Sequence, residues 1–598
     1  MFTLEKFKTM NIIDKYKLYR HLIFSVLMLG AIIFAIWKCS YGFGGNDEAF
    51  YLTIPHRLLM GDSLLAEEWH LSQLSGTLLI PFVWIYEVIT KSTDGIIFAM
   101  RIIYVLFHAL VSIFIYLHLQ KFNDMAIISS LLYFIFTPFD IMALSYNTMA
   151  FDLLVFTGVL IATANTDKKI PFIICGISFS AVVLCCPYMA VVYILFAVCV
   201  LIHKILCKCK NEKMEKTVLF TDLFSGRVFI IFSIGVIFSA VVFIAFVLSR
   251  TNIFNIIENL QYILSDPEHP AMSIPKKLLM YCKAFTESHP LICIPLIAYL
   301  ITILIMIFDK NRVKHRTLYF VASAIITVFT YIIFIPELIE KYYNAIMFPV
   351  FFMGITSYIL IKNKPQKLFA SIFIVGVLYS LALCFSSNQY FYVIFPAFTI
   401  SNIASFTFVG IFIKELKEEF NIQNEKNNDY KIILCTVLVT IVVCLQATLE
   451  ITVKYRHCFS EPVTAQHMNS KIECGPAKGI YTNSDNYNFY NQAYNDIINY
   501  KNMSQGNILF LSNRCWYYLV TDNCTLGTYS TWLSGVNYST VNRLQQYYTL
   551  NSEKIPQYIY IEKEEARELD LSDIYNTADY YGYKISENEI SYKLEKIT

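Results

Sequence analysis

Asp47 and Glu48 stand where the first long apolar run of the chain ends, in the stretch GFGGNDEAFYLTIPHRLLMGDSLLAEEWH (residues 42–70). A carboxylate at a bilayer boundary is partly desolvated, which raises its pKa and makes it a stronger base near neutral pH. Arg57, Glu67, Glu68, Trp69 and His70 follow in the same loop. The spacing also fits a structural role, with Asn46 or Asp47 capping a helix that starts at Glu48. The two roles are compatible, because a capping Asp is rigidly aimed. A second group lies in TPFDIMALSYNTMAFD (137–152). Asp152 falls inside an apolar run, where a carboxylate costs about 2.5–3.5 kcal/mol and so faces a polar cavity or a partner. Tyr146 and Asn147 are either site residues or turn residues. Arg101, near one end of its run, either snorkels outward or holds an anion. In SDPEHPAMSIPKK (265–277), His269, Lys276 and Lys277 either bind a phosphate or are ordinary interfacial cations. No Walker loop, HExxH or GxSxG motif occurs.

The elements that must position these residues are membrane spans. The chain of 598 residues is 56% hydrophobic and only 15% charged, with a mean hydropathy of +0.51. Apolar runs long enough to cross a hydrocarbon core of about 30 Å recur from residue 22 to residue 452. The expected spans are 22–40, 96–119, 125–138, 146–165, 170–186, 188–205, 227–249, 290–308, 317–335, 343–361, 368–385, 391–413 and 432–452. The first lacks a small-residue cleavage site and reads as an anchor. GTLLIPFVWIYEVIT (76–90) is short and carries Pro81 and Glu87. If it does not cross, the basic N-terminus shares a side with the connectors HKILCKCKNEKMEK, DKNRVKHR, KNKPQK and KELKEEFNIQNEKNNDYK, as the positive-inside rule requires. It is therefore read as a membrane-surface or re-entrant helix. The result is a polytopic α-helical membrane protein of about 13 crossings in the plasma membrane, N-terminus cytoplasmic and C-terminus external.

This topology divides the chain into a membrane domain, 1–452, with long external loops 41–95 and 250–289, and an external tail, 453–598. In IFNIIENLQYIL (253–264) the apolar residues share a helical face. That helix either lies on the membrane or packs under the tail. The tail alternates helix-like and strand-like segments, NFYNQAYNDIINY before NILFL and STVNRLQQYYTL before QYIYIEK, which predicts a small α/β domain. Cys458, Cys474, Cys515 and Cys524 lie in it, either as free thiols or as disulfides, for which 458–474 with 515–524 is the simplest pairing. No basic stripe suggests nucleic acid as a partner.

At DEAFY the chain resembles the GT-C membrane glycosyltransferases, the family of protein O-mannosyltransferases and lipid A aminoarabinose transferases. In that family a D-E-x-x-Y motif opens the first external loop, and Asp47, Glu48 and Tyr51 match it. Arg57 and MGD (60–62) resemble the family's next stretch, Arg101 fits its later arginine, and Asp152 matches an acid early in the fourth span. The family's Lys-Pro-Pro-Leu segment is reduced to Pro81, leaving His70 or Arg57 to take the lysine's place.

The resemblance implies a sugar moved from a polyprenyl-phosphate carrier to an acceptor hydroxyl, on a glycan, lipid or protein, at the outer membrane face and with inversion. Phosphate is already a good leaving group, so one carboxylate suffices as base for the acceptor. Asp47 is the expected base and Glu48 its orienting neighbour. Tyr51, Tyr146, Asn147, Asp152 and His70 are expected to line the substrate site, and Arg57, Arg101, His269, Lys276 and Lys277 to serve the phosphate. A divalent metal is left open as a cofactor. The alternatives are a transporter or flippase of a lipid-linked saccharide, an O-antigen-type polymerase or ligase, and an inactive scaffold.

Overall fold

The computed structural model describes residues 12–43, 46–208, 222–265, 272–287, 293–340, 345–387, 390–423, 429–458, 461–501, 506–521, 524–533 and 535–597. Its helices are α1 (Ile12–Cys39), α2 (Asp47–Leu59), α3 (Gly76–Thr90), α4 (Ile96–Leu119), α5 (Met125–Ile135), α6 (Tyr146–Thr163), α7 (Lys169–Cys185) and α8 (Ala190–Lys208). They continue with α9 (Gly226–Leu248), α10 (Ile253–Leu264), α11 (Ile274–Glu287), α12 (Cys293–Phe308), α13 (Arg316–Glu340), α14 (Phe348–Leu360), α15 (Ile374–Ser386), α16 (Tyr390–Gln423) and α17 (Asp429–Arg456). Among the described residues, ten helices are long and apolar enough to cross a membrane, and four shorter apolar helices accompany them. Together they cover every expected span. The one addition, residues 73–90, includes α3.

Geometry decides how α3 relates to the bundle. Helices α1 and α4 run antiparallel: Tyr116 stacks on Phe24 at 3.8 Å near one end, and Arg101 donates to the carbonyls of Cys39 and Gly42 at the other. Residues 40–95 therefore leave and return at the same end, and α3 does not carry the chain across. Its outer face leaves Trp84, Ile85, Val88 and Ile89 exposed.

Helices approach closely where small residues meet, as expected where lipid supplies no hydrophobic drive between helices. A Cβ added at Gly176 of α7 would lie 2.1 Å from the Phe232 carbonyl of α9, and one at Gly235 would lie 2.2 Å from the Ile173 carbonyl. Gly354 of α14 and Gly376 of α15 are equally tight against Ser405 and Ser401 of α16, the most deeply enclosed of the long apolar helices.

The tail forms α18 (Ser484–Lys501), α19 (Tyr517–Val520), α20 (Tyr538–Leu550) and α21 (Leu571–Tyr580). Its strands are β1 (Ser470–Lys471), β2 (Tyr481–Thr482), β3 (Asn507–Leu511), β4 (Thr525–Leu526), β5 (Tyr558–Glu562), β6 (Tyr583–Glu587) and β7 (Ser591–Lys596). The main sheet has the order β4-β3-β5-β7-β6. Strands β4, β3 and β5 are parallel, and β7 is antiparallel to both β5 and β6. Cys458 and Cys474 are free thiols, so the pairing expected between them is not formed. Instead Cys458 Sγ accepts from Lys38 Nζ at 2.9 Å.

Tail and first loop share one core. Thr53 Oγ1 lies 2.6 Å from Thr531 Oγ1, Trp69 N donates to the Tyr529 carbonyl, and Lys554 Nζ reaches Asp62 Oδ1 at 2.6 Å. Helix α10 packs under the tail, one of the two alternatives raised for it, with Arg543 Nη2 donating to the Tyr262 carbonyl at 2.8 Å. Asn259 and Ile263 are buried, with Tyr262 stacked on Trp69 at 4.8 Å, while Ile253, Phe254, Ile257 and Leu264 stay exposed.

Candidate active site

Helix α2 starts at Asp47, one residue earlier than expected, and the Asn46 side chain makes no capping hydrogen bond. The expected Asn46 or Asp47 cap is thus not formed, and Asp47 and Glu48 occupy the first turn, where the helix dipole favours anions. Their fates differ. Glu48 is buried and paired with Arg101 through both carboxylate oxygens.

Arg101 spends all its donors on protein. Nε and one Nη bond Glu48, and the remaining N–H groups go to the carbonyls of Cys39, Tyr41 and Gly42. It clamps the start of α4 to the loop entrance and has no donor left for a lipid phosphate. Arg57 is equally committed: Nε to Asp62 at 2.8 Å, Nη1 to Glu68 at 2.6 Å, and Nη2 to the carbonyls of Glu67 and Thr528. The expectation that these two arginines hold phosphate gives way to a structural role, because each has partners contributed by distant segments.

Asp47 is left over. Glu48, Asp62, Glu67, Glu68 and Glu87 each have a basic partner. Asp47 is half-buried, and among the described residues it has neither hydrogen-bond nor ion-pair partner. Burial, reinforced by the Glu48 charge, pushes its pKa up from 3.8 to about 6. Its charge acts on Tyr51 and Tyr146, whose rings meet edge to face at 5.4 Å and whose hydroxyls are hydrogen-bonded. Asn147 follows Tyr146 on α6. The structure thus brings together Asp47, Tyr51, Tyr146 and Asn147 between the first loop and the mouth of α6.

The other expected residues fall elsewhere. Asp152 is buried inside α6, with Oδ1 2.6 Å from His108 Nδ1 and accepting from the Tyr133 hydroxyl at 2.8 Å. It has a partner within the bundle and does not line the Asp47 site. His108 was not anticipated, although Arg101, Tyr104, His108 and Ser112 recur at helical spacing along one face of α4. His70 Nδ1 accepts from Ser72 Oγ at 2.8 Å, with the ring edge-on to Phe50 at 4.6 Å. Lys277 of α11 donates to the carbonyls of Cys384 and Ser387, beside Ser386, which bonds the Cys186 thiol next to Tyr146. Lys276 is exposed beside it. His269 lies outside the described residues. No group of three His, Cys, Asp or Glu side chains converges as a metal site among the described residues. With Glu48 taken by Arg101, Asp47 offers a single carboxylate, which does not by itself fit a divalent cation.

Fold and loop together define a multi-pass helical membrane protein carrying an α/β domain at the end where Asp47 sits. No family model matches the chain, and no curated protein matches it. Among solved structures it is similar to the archaeal oligosaccharyltransferase AglB from Archaeoglobus fulgidus, in complex with an inhibitory peptide and a dolichol-phosphate. The TM-score is 0.46 and the identity 10%, over 97% of this chain and 74% of that one. A second structure of the A. fulgidus enzyme, tethered to an acceptor peptide, gives a TM-score of 0.43 and 11% identity over 96% and 74%.

Proposed function

We propose that the protein is a membrane glycosyltransferase that moves a sugar from a polyprenyl-phosphate carrier to an acceptor hydroxyl at the outer membrane face. The observation carrying this reading is the unpaired Asp47, in a loop whose neighbouring acids up to Glu87 are neutralised by partners. A lone carboxylate with a pKa near 6 is ionised at neutral pH and more basic than one in water. The order of motifs in the loop, Asp47-Glu48 and Tyr51 ahead of Arg57 and Arg101, supports the same reading.

In this mechanism Asp47 takes the proton of the acceptor hydroxyl as its oxygen bonds the anomeric carbon. The bond from that carbon to the phosphate oxygen breaks on the opposite face, giving inversion and a free polyprenyl phosphate. Tyr51 and Tyr146 fix the carboxylate's surroundings, and Asn147 offers an amide to the sugar. Glu48 acts through Arg101, holding the loop in register. Lys276, exposed beside the carbonyl-bound Lys277, serves the phosphate, on a helix whose exposed Ile274, Leu278 and Leu279 suit a lipid chain.

The test is Asp47→Asn, purified and assayed for transfer from polyprenyl-phosphate sugars in vesicles. General-base catalysis is worth roughly 10²–10⁴-fold, so transfer should fall by that much with normal expression. Unchanged transfer removes Asp47 from the mechanism.

A further inference from the structure

We infer that the tail domain supplies the binding site for the acceptor, a neutral saccharide, at the carboxyl ends of β3 and β5, with Arg514 and Asn513 as its recognition residues. This rests on the transferase reading above. In open α/β sheets, ligands seat in the crevice beyond the carboxyl ends of parallel strands. Here Ser512, Asn513 and Arg514 follow β3 directly, and Glu562 closes β5. That crevice abuts the loop carrying Asp47: Asn46 Nδ2 reaches Asn513 Oδ1 at 3.4 Å.

Glu562, only 2% exposed, organises the crevice. It accepts from Ser512 Oγ, from the Tyr517 hydroxyl at 3.0 Å and from Arg514 Nε at 3.1 Å. The Arg514 guanidinium lies over the Phe489 ring at 4.0 Å. One edge is thereby fixed, while its two terminal nitrogens have no hydrogen-bond partner among the described residues. A planar donor pair held on both sides is preorganised for ligand oxygens.

Charge selects the ligand class. Glu562 already neutralises Arg514, and Glu565 adds a further negative charge beside it. An anionic acceptor would be repelled. A hydroxyl-rich neutral ligand can accept from Arg514 and exchange hydrogen bonds with the Asn513 and Asn46 amides and the Glu565 carboxylate.

The experiment uses the full chain in lipid vesicles, with a polyprenyl-phosphate hexose as donor and a neutral oligosaccharide as acceptor. Arg514→Gln and Asn513→Ala should each raise the acceptor KM roughly tenfold, the scale of a lost hydrogen bond. Donor KM and the slow hydrolysis of donor by water should stay unchanged. Arg514→Gln leaves Glu562 short of a partner, so melting is checked. Asn513→Ala leaves that network intact and carries the same expectation. The acceptor KM should vary little between low and high salt. Unchanged acceptor KM in Asn513→Ala, or a shift in donor KM instead, overturns the site; a steep salt dependence overturns the neutral class. Failure of the transferase reading shows separately, as no sugar transfer by the unmodified protein from polyprenyl-phosphate donors.

Discussion

At the scale of the residue, Asp47 and Arg101 make opposite predictions. The raised pKa of Asp47 means that the folded state binds its proton more tightly than the unfolded chain does. Its contribution to stability is therefore present below pH 4 and lost as pH rises through about 6. Asp47→Asn removes a carboxylate that is disfavoured when ionised, so at pH 8 the variant should be more stable, by up to about 3 kcal/mol, and melt higher. Loss of activity with gain of stability is the signature of a functional group, and a lower melting temperature would count against it. The pH profile of transfer should fall on the acid side of pH 6 in the unmodified protein. Arg101→Met strands Glu48 and three carbonyls in the interior. Its cost should be about 3–5 kcal/mol, seen as loss of folded protein. A well-folded variant with only a raised donor KM would restore the phosphate role to Arg101.

At the scale of the element, the crossing of α7 and α9 depends on two glycines facing each other. Gly176→Val should disrupt that pair, because its Cβ would fall 2.1 Å from a carbonyl. Thermal melting in detergent measures the effect, and a wild-type melt would mean that the helices can separate without cost. Elements of this kind are legible from hydropathy alone, since long apolar runs leave few alternatives. Helices α18 and α20 and strands β3 and β5 follow from local patterning in the same way. What local patterning does not carry is long-range pairing. Arg57 and Arg101 look like free cations in sequence because Glu68, Glu48 and the carbonyl of Thr528 reach them only in the fold. The hairpin β6–β7 is not legible in this way: YKISE buries none of its residues, and charged Lys593, Glu595 and Lys596 interrupt SYKLEK although Ser591, Tyr592 and Leu594 are buried. His108 was within reach, since its spacing from Arg101 marks a polar stripe on an apolar helix.

At the scale of the molecule, first loop and tail are one folding unit although more than four hundred residues separate Asp62 from Lys554. A chain ending at residue 456 should keep its bundle but lose the order of residues 41–95. Limited proteolysis of the loop measures this, and a loop as resistant as in the intact protein would show that the tail is dispensable. Cysteines introduced in the tail and in 41–75 should react with an impermeant reagent from outside, and those in 310–315 should not. The reverse result would invert the orientation argued from charge.

The Arg57 cluster has a further meaning in time. Arg57 and Asp62 are made well before two of their partners, the Thr528 carbonyl and Lys554, which follow more than four hundred residues later. A nascent chain therefore holds Asp47 on an unfinished loop, and the Asp47 cluster can assemble only after the tail has folded. The order of translation acts as a lock: a truncated product would be inserted in the membrane with its Asp47 loop unassembled.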